Sequence, residues 1–209
     1  MNTVYLFLIT AIIALLNAAL ASAQNSAGEY NKFEGSVGFS HQRAGETSGF
    51  NDSAGLNGFD VSVTRNVTRY VGIKGAFSGA YRSDDFAIPG IAPGSVLRFK
   101  IKTSIYTYMG GVQIKDNAKE KKLKPFFHAL AGGGTLIQKL TGDCPADVAA
   151  LCPGYSYSTA GFSAAIGGGL DVRVSKRVSV RVIQADYNPV FLDGGRVNNF
   201  RLGVGFVFH

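Results

Sequence analysis

The chain has 209 residues, of which 27 are glycine and only 17% are charged. This length suits a single domain, and abundant glycine favours bent, closely packed strands over long helices. Beyond residue 23 no apolar run approaches the roughly 20 residues that a membrane-spanning helix needs. The composition therefore excludes a helical membrane protein for the rest of the chain.

The N-terminal segment has the features of an export signal. Residues 5–20 are almost entirely apolar, and residues 21–23 read Ala-Ser-Ala. This pattern predicts a cleaved secretory signal peptide over residues 1–23 and one mature domain over residues 24–209, with a membrane anchor as the open alternative. The first three residues contain no Lys or Arg, which leaves open a start further upstream. The mature chain is then either a soluble exported protein or a membrane barrel.

Alternation of apolar and polar residues with a period of two predicts about eight strands. They are predicted near residues 30–41, 58–66, 70–82, 98–115, from 125 onward, 159–175, 178–187 and 199–209. In the fourth strand Tyr106 and Tyr108 oppose the parity of Ile101 and Ile105, for which a bulge and a tyrosine-lined interior are both open explanations. The pattern also fails over residues 184–187.

The last strand alternates most strictly. Its apolar parity consists of Phe200, Leu202, Val204, Phe206 and Phe208, and its other parity of Asn199, Arg201, Gly203 and Gly205. A strand at the end of a chain needs partners for its backbone on both edges. A closed barrel supplies them by pairing the last strand with the first.

Near the strand centres, charged residues concentrate on one face of each strand, and the residues of the other face are almost uniformly apolar. The charged set, with one histidine, is Glu34, Asp60, Lys74, His128, Asp171, Arg181 and Arg201. Because Lys or Arg facing lipid at the bilayer midplane costs about 2–4 kcal/mol, we expect this set to face the interior. An eight-stranded barrel is filled by side chains, so its interior charges must pair.

These charges predict a structural plug of ion pairs in the interior. A narrow pore that opens when ion-pair partners exchange is the first alternative. A soluble exported binding barrel is the second, although its polarity would be apolar inside and polar outside. His128 has no neighbouring serine to form a nucleophile–base pair, so the sequence predicts no catalytic residues, no enzyme activity, no cofactor and no metal site.

Four motifs carry a family resemblance. They are residues 58–63 (Gly-Phe-Asp-Val-Ser-Val), 124–129 (Lys-Pro-Phe-Phe-His-Ala), 167–171 (Gly-Gly-Gly-Leu-Asp) and 203–208 (Gly-Val-Gly-Phe-Val-Phe). The last motif resembles the C-terminal β-signal of bacterial outer-membrane proteins, although Leu202 and the terminal His209 depart from it. With the other three, the mature chain resembles small outer-membrane β-barrels of the outer membrane protein A type, also called porin-family barrels.

The resemblance implies an all-β fold: a closed antiparallel up-and-down transmembrane β-barrel in the outer membrane of a Gram-negative cell envelope. It implies a monomer that contacts outer-membrane lipids, with short periplasmic turns and long external loops in a structural or interaction role. In the β-signal, Gly203, Phe206 and Phe208 would be recognised by the barrel-assembly machinery.

Two cysteines lie in one predicted loop. Cys144 and Cys152 are close in sequence within an exported protein, so we expect a local disulfide. A metal or redox role is not indicated, because no His or third Cys accompanies them and their spacing is not Cys-x-x-Cys.

The net charge of +7 would suggest nucleic acid for a cytosolic protein, but the basic residues concentrate at the short turns, and we expect no nucleic-acid partner. The predicted basic turns contain Lys115, Lys119, Lys121, Lys122, Lys124, Lys176 and Arg177, together with Arg65 and Arg69. The long loops lean acidic through Glu46, Asp52, Asp84, Asp85, Asp143 and Asp147. We expect the basic turns to meet inner-leaflet head groups or the cell-wall polymer, with a merely solvated rim as the open alternative.

Overall fold

The computed structural model describes residues 30–45, 54–89, 96–142, 156–192 and 195–209. The predicted signal peptide and the predicted disulfide between Cys144 and Cys152 lie outside these residues. Within them, no helix is long and apolar enough to cross a membrane.

The described residues form ten strands. They are β1 (Phe33–Ala44), β2 (Ala54–Asn66), β3 (Val71–Pro89), β4 (Val96–Lys115), β5 (Leu123–Gly142), β6 (Ser156–Arg173), β7 (Val178–Tyr187), β8 (Val190–Leu192), β9 (Gly195–Val197) and β10 (Asn199–Phe208). Strands β1 to β7 pair antiparallel in sequence order, and β10 pairs with both β7 and β1. The predicted closed barrel of eight antiparallel strands is thereby confirmed. The short strands β8 and β9 form a hairpin beside β6.

One end of the barrel, here called the turn end, carries the short connections between β2 and β3, β4 and β5, and β6 and β7. The opposite end is called the loop end. Strands β3 to β6 have 18 to 20 residues, whereas a tilted strand spans a membrane with about 9–11. Their extra length projects from the loop end into segments predicted as loops, near residues 83–97 and 139–158. Periodicity missed these extensions because both faces of a strand beyond the membrane contact water.

Side chains alternate between an apolar outer face and a polar interior. On β10, Phe206 is 52% exposed while Arg201 is 1% exposed. The same division holds around the ring, where large outward residues such as Phe39, Ile73 and Phe127 are exposed. This polarity is the reverse of that of a soluble binding barrel and fits lipid around the outside.

Strand β4 has an uninterrupted register with both of its neighbours. Tyr106 and Tyr108 therefore point outward, and Ile105 and Met109 point into the interior, so both explanations from the sequence, a bulge in β4 and a tyrosine-lined interior, were wrong. Tyr106 stacks on the outward Phe77 with ring centroids 6.2 Å apart. Hydropathy misassigned this strand because its inner face is partly apolar and its outer face carries polar aromatic rings.

The irregularity lies in β7 instead. The register of β7 shifts against both β6 and β10 at Val182 and Ile183, and both of these side chains are exposed. A bulge adds one residue to a strand and so reverses the parity beyond it. Gln184 and Asp186 consequently point into the interior, which explains why the alternation predicted for β7 fails over residues 184–187.

Candidate functional site

The charged residues predicted for the interior are all buried there, and a continuous set of polar contacts links them. Three further residues complete this set, which is called the interior network. Each barrel strand contributes at least one member: Glu34, Asp60, Lys74, Lys115, His128, Asp171, Arg181, Gln184, Asp186 and Arg201. Carboxylates lie on β1, β2, β6 and β7, and cations lie on β3, β4, β7 and β10, so contacts such as that of Lys115 with Glu34 cross the interior between strands that are not neighbours.

The half of the network nearer the turn end centres on Asp171. Lys115 Nζ lies 2.8 Å from Asp171 Oδ2 and 2.9 Å from Glu34 Oε2. Arg181 Nε donates to Asp171 Oδ1 at 2.8 Å, and the Arg181 guanidinium lies 4.3 Å from the centre of the Phe126 ring. Two cations therefore share one buried carboxylate.

Gln184 connects this half to the next. Arg181 Nη1 donates to Gln184 Oε1 at 2.8 Å, and Gln184 Nε2 donates to Asp186 Oδ2 at 2.6 Å. Asp186 also accepts from Arg201 Nη2 at 2.7 Å. An amide can donate and accept at once, so it links a buried arginine to a buried carboxylate without adding charge.

The half nearer the loop end centres on Asp186. His128 Nε2 lies 2.9 Å from Asp186 Oδ1, and Arg201 Nη1 lies 3.3 Å from Asp60 Oδ2. Lys74 Nζ is 3.2 Å from His128 Nδ1. Because an ammonium only donates, His128 Nδ1 is the acceptor in this contact, and the ring proton is carried by Nε2, the nitrogen nearer Asp186.

Three network residues were not predicted. Asp186 and Gln184 were missed because the bulge in β7 reverses their parity. Lys115 was assigned to the basic turns together with Lys124, and this was wrong for both, because both side chains are fully buried in the interior. Lys115 lies two residues after the inward Gln113 on β4, so both side chains lie on the same face of the strand. This spacing could have predicted that Lys115 points into the interior.

Beside the network, at the turn end, Ser179 and Glu34 flank the C-terminal residue. Ser179 Oγ is 2.8 Å from His209 Nε2, and His209 Nδ1 is 3.2 Å from Glu34 Oε1. The order of groups resembles a serine hydrolase triad, but Ser179 is fully buried and out of reach of a substrate. These two contacts instead link His209, at the end of β10, to β7 through Ser179 and to β1 through Glu34. Both strands are direct neighbours of β10 in the ring.

Apolar side chains pack together in the interior on the loop side of the network. Leu56, Ala80, Ile105 and Val197, here called the apolar lid, pack together and are each at most 6% exposed. Val197 comes from β9, so the β8–β9 hairpin completes the lid. A second cluster of Met109, Leu130 and Ala165 is also buried.

A small cavity lies beside the network, along the seam between β1 and β10. Its volume is about 10 Å³, and its lining includes Asp60, Arg181, Gln184 and Arg201. That is room for about one water molecule. This cavity therefore has no room for a larger solute.

A closed ring of strands with lipid-compatible outer residues and a polar interior defines a membrane-spanning barrel. The chain matches the family model of the outer membrane protein beta-barrel domain over residues 11–208 and belongs to that family. The protein is thus an integral protein of the bacterial outer membrane. In this class of protein the short turns usually face the periplasm and the longer loops face outward.

Two solved structures illustrate the similarity of fold. Ail, the attachment invasion locus protein of Yersinia pestis, is 20% identical with a TM-score of 0.54, over 85% of this chain and 100% of Ail. Neisserial surface protein A is 12% identical with a TM-score of 0.53, over 87% of this chain and 99% of that protein. A comparison with curated proteins finds no match.

Proposed function

We propose that this protein is a non-enzymatic outer-membrane barrel with a closed interior, and that its projecting strands form an interaction surface outside the cell. The observation that carries the proposal is the filling of the interior at successive levels. From the periplasm outward these levels are the interior network, the Met109 cluster and the apolar lid. A solute would have to displace all three.

The energetics favour a closed barrel over a gated pore. Removing one partner of a buried, hydrogen-bonded ion pair typically costs about 3–5 kcal/mol. Here Asp171 serves two cationic partners, and Asp186 serves Arg201, His128 and Gln184, so exchange at one contact disturbs another. Even a rearranged network would leave the apolar lid, and an apolar constriction excludes water and ions.

The projecting strands β3 to β6 support the interaction role. Their outer face carries the exposed cations Arg98, Lys100, Lys102 and Lys139. Lys102 lies directly opposite Lys139 across β4 and β5. Like charges placed opposite each other destabilise a sheet, and an anion bound between them would relieve the repulsion.

In the described part of the loop end cations outnumber acids, and four of the acids predicted for the long loops, Glu46, Asp52, Asp143 and Asp147, lie outside the described residues. Asp84 pairs with Arg82 at 2.7 Å, and Asp85 pairs with Lys100 at 3.4 Å. We therefore propose a sulfated or phosphorylated polyanion as the external ligand class. Ail, of similar fold, was solved in complex with the heparin analogue sucrose octasulfate, which agrees with a ligand of this chemistry.

Export and assembly complete the proposal. Residues 1–23 act as a cleaved signal, and Gly203, Phe206 and Phe208 act as the assembly signal. In support, the Phe206 and Phe208 side chains project from the outer face of β10 and are about half exposed, at 52% and 49%. A protein that recognises the final strand before the ring closes could reach both rings.

A planar bilayer recording of the protein purified from outer membranes tests the closed interior. We expect no discrete conductance from the wild type, nor from Lys74→Gln and Arg181→Gln variants that still fold. Discrete conductance in the wild type that changes in these variants would establish the gated pore instead.

A second experiment tests the external surface. Binding of sucrose octasulfate to the wild type, to Lys102→Gln/Lys139→Gln and to the turn-end control Lys176→Gln/Arg177→Gln is compared by calorimetry. We expect the larger loss of affinity in the first variant, because Lys102 and Lys139 lie directly opposite each other. Equal affinity in all three proteins would show that these lysines do not bind the polyanion.

A further inference from the structure

The periplasmic rim of the barrel is strongly basic. Cations that are exposed or half-buried surround it, and they are called the basic collar: Lys32, Arg65, Arg69, Lys119, Lys121, Lys122, Arg173, Lys176 and Arg177. Among the described residues of this rim, the acids are Asp116 and Glu120. With Lys115 and Lys124 buried inside the barrel, the collar consists only of side chains that an external partner can reach.

Two collar arginines lie against outward-facing aromatic rings. The Arg65 guanidinium is 6.0 Å from the centre of the Phe33 ring, and that of Arg69 is 5.1 Å from the centre of the Tyr70 ring. Tyr70 is 52% exposed and is followed by the exposed Val71 and Ile73 of the outer apolar band. Aromatic rings at the edge of that band mark the level of the lipid head groups. These arginines therefore lie on the side of the barrel that faces the membrane.

The position of Arg69 is fixed by the neighbouring turn. Arg69 Nε donates to Asp116 Oδ1 at 2.9 Å, and Lys121 Nζ lies 2.7 Å from Asp116 Oδ2. The hydrogen bonds from Arg69 and Lys121 hold the pKa of the Asp116 carboxyl well below its usual range. The carboxylate stays charged at neutral pH and clamps the turn between β2 and β3 to that between β4 and β5, so the collar is presented on a rigid rim.

We propose that the basic collar binds the anionic head groups of inner-leaflet phospholipids, of the phosphatidylglycerol type. Charge complementarity requires an anionic partner, and the contacts of Arg65 and Arg69 with outward rings place two of its cations at the depth of lipid phosphates. The cell-wall polymer lies below the membrane and would be met by cations that extend away from the barrel wall. The inference is independent of whether the barrel conducts.

The test measures lipid preference directly. The mature protein is reconstituted in mixed phosphatidylglycerol and phosphatidylcholine bilayers, and the association of spin-labelled lipids of each kind is compared. We expect the wild type to prefer phosphatidylglycerol, and the preference to weaken with added salt. In Arg65→Gln/Arg69→Gln the preference should fall by up to roughly fivefold for each arginine removed.

Two further variants make the result specific. Lys176→Gln/Arg177→Gln removes collar charge without touching the Asp116 clamp and should also lower the preference. Lys102→Gln/Lys139→Gln removes the same charge from the loop end of the barrel and is the matched control. An unchanged preference in both collar variants, or an equal loss in the control, would overturn the proposal. Loss of binding to isolated cell-wall sacculi in the collar variants, with lipid preference unchanged, would overturn it in favour of the cell-wall polymer.

Discussion

Replacing Asp171 by asparagine is the sharpest test of the interior network. Asp171 is fully buried and receives Arg181 Nε at 2.8 Å, Arg181 Nη2 at 3.2 Å and Lys115 Nζ at 2.8 Å. Asparagine keeps the shape of the side chain but removes its charge. Lys115 would keep Glu34, whereas among the described contacts Arg181 would keep only the Gln184 amide and the Phe126 ring.

The expected loss follows from these contacts. At 2.8 Å and an effective dielectric constant of about 20, one ion pair is worth roughly 6 kcal/mol before the cost of desolvation is subtracted. Since the cation stays buried after the substitution, most of its desolvation cost is no longer offset. We therefore expect the free energy of unfolding to fall by about 3–5 kcal/mol in Asp171→Asn.

Equilibrium urea unfolding in lipid vesicles or detergent micelles measures this quantity, and an unchanged m value would show that the compared states are the same. Asp84→Asn is the control, because it breaks a partly exposed pair with Arg82 and should cost at most about 1 kcal/mol. Asp171→Asn/Arg181→Gln should recover part of the loss by removing the unpaired cation. If Asp171→Asn cost no more than Asp84→Asn, the interior would be hydrated and the closed barrel refuted.

The remaining predictions concern other parts of the barrel. Deletion of Ile183 should remove the bulge and leave Gln184 and Asp186 facing the interior, because Val182 alone would then separate Arg181 from Gln184, so we expect a heat-modifiable folded band on gels, and loss of that band would contradict the bulge. Val204→Arg on the outer face of β10 should destabilise the inserted barrel by about 2–4 kcal/mol if Val204 lies at the midplane, which vesicle unfolding measures. Asp116→Asn should lower stability at neutral pH, because a carboxyl whose pKa is lowered by folding stabilises above its unfolded pKa and loses that contribution as pH falls toward its folded value. Its difference from the wild type should therefore shrink below about pH 4, and a constant difference would argue against the clamp.

The local pattern of the sequence was sufficient for much of the fold. On β10, every predicted outward residue from Phe200 to Phe208 is exposed. One face of this strand is entirely apolar and the other is polar or small, so only the apolar face can meet lipid. The pattern failed where that constraint weakens. In β4 the polarity difference between the faces is small around Ile105 and Tyr106, and in β7 one extra residue reverses the parity.

The interior was harder to predict than the wall. Parity shows that a side chain such as Arg181 points inward, but its partners depend on how eight strands are staggered around the ring. Lys115 and Glu34 are far apart in sequence and meet only because β1 and β4 face each other across the interior. No spacing rule within a strand could indicate that contact.

The sequence by itself determined that the chain forms strands, that the last strand closes on the first, and which face can meet lipid in every barrel strand except β4 and the far half of β7. These are properties of short segments, fixed by a period of two and by the cost of burying charge in lipid. Only the tertiary structure decided that Asp186 belongs to the network, that Lys115 and Lys124 are buried in the interior and not exposed at the basic rim, and that the β8–β9 hairpin completes the apolar lid. Each of these outcomes depends on the stagger of the closed ring and on a bulge within one strand, which bring together residues that are distant in sequence.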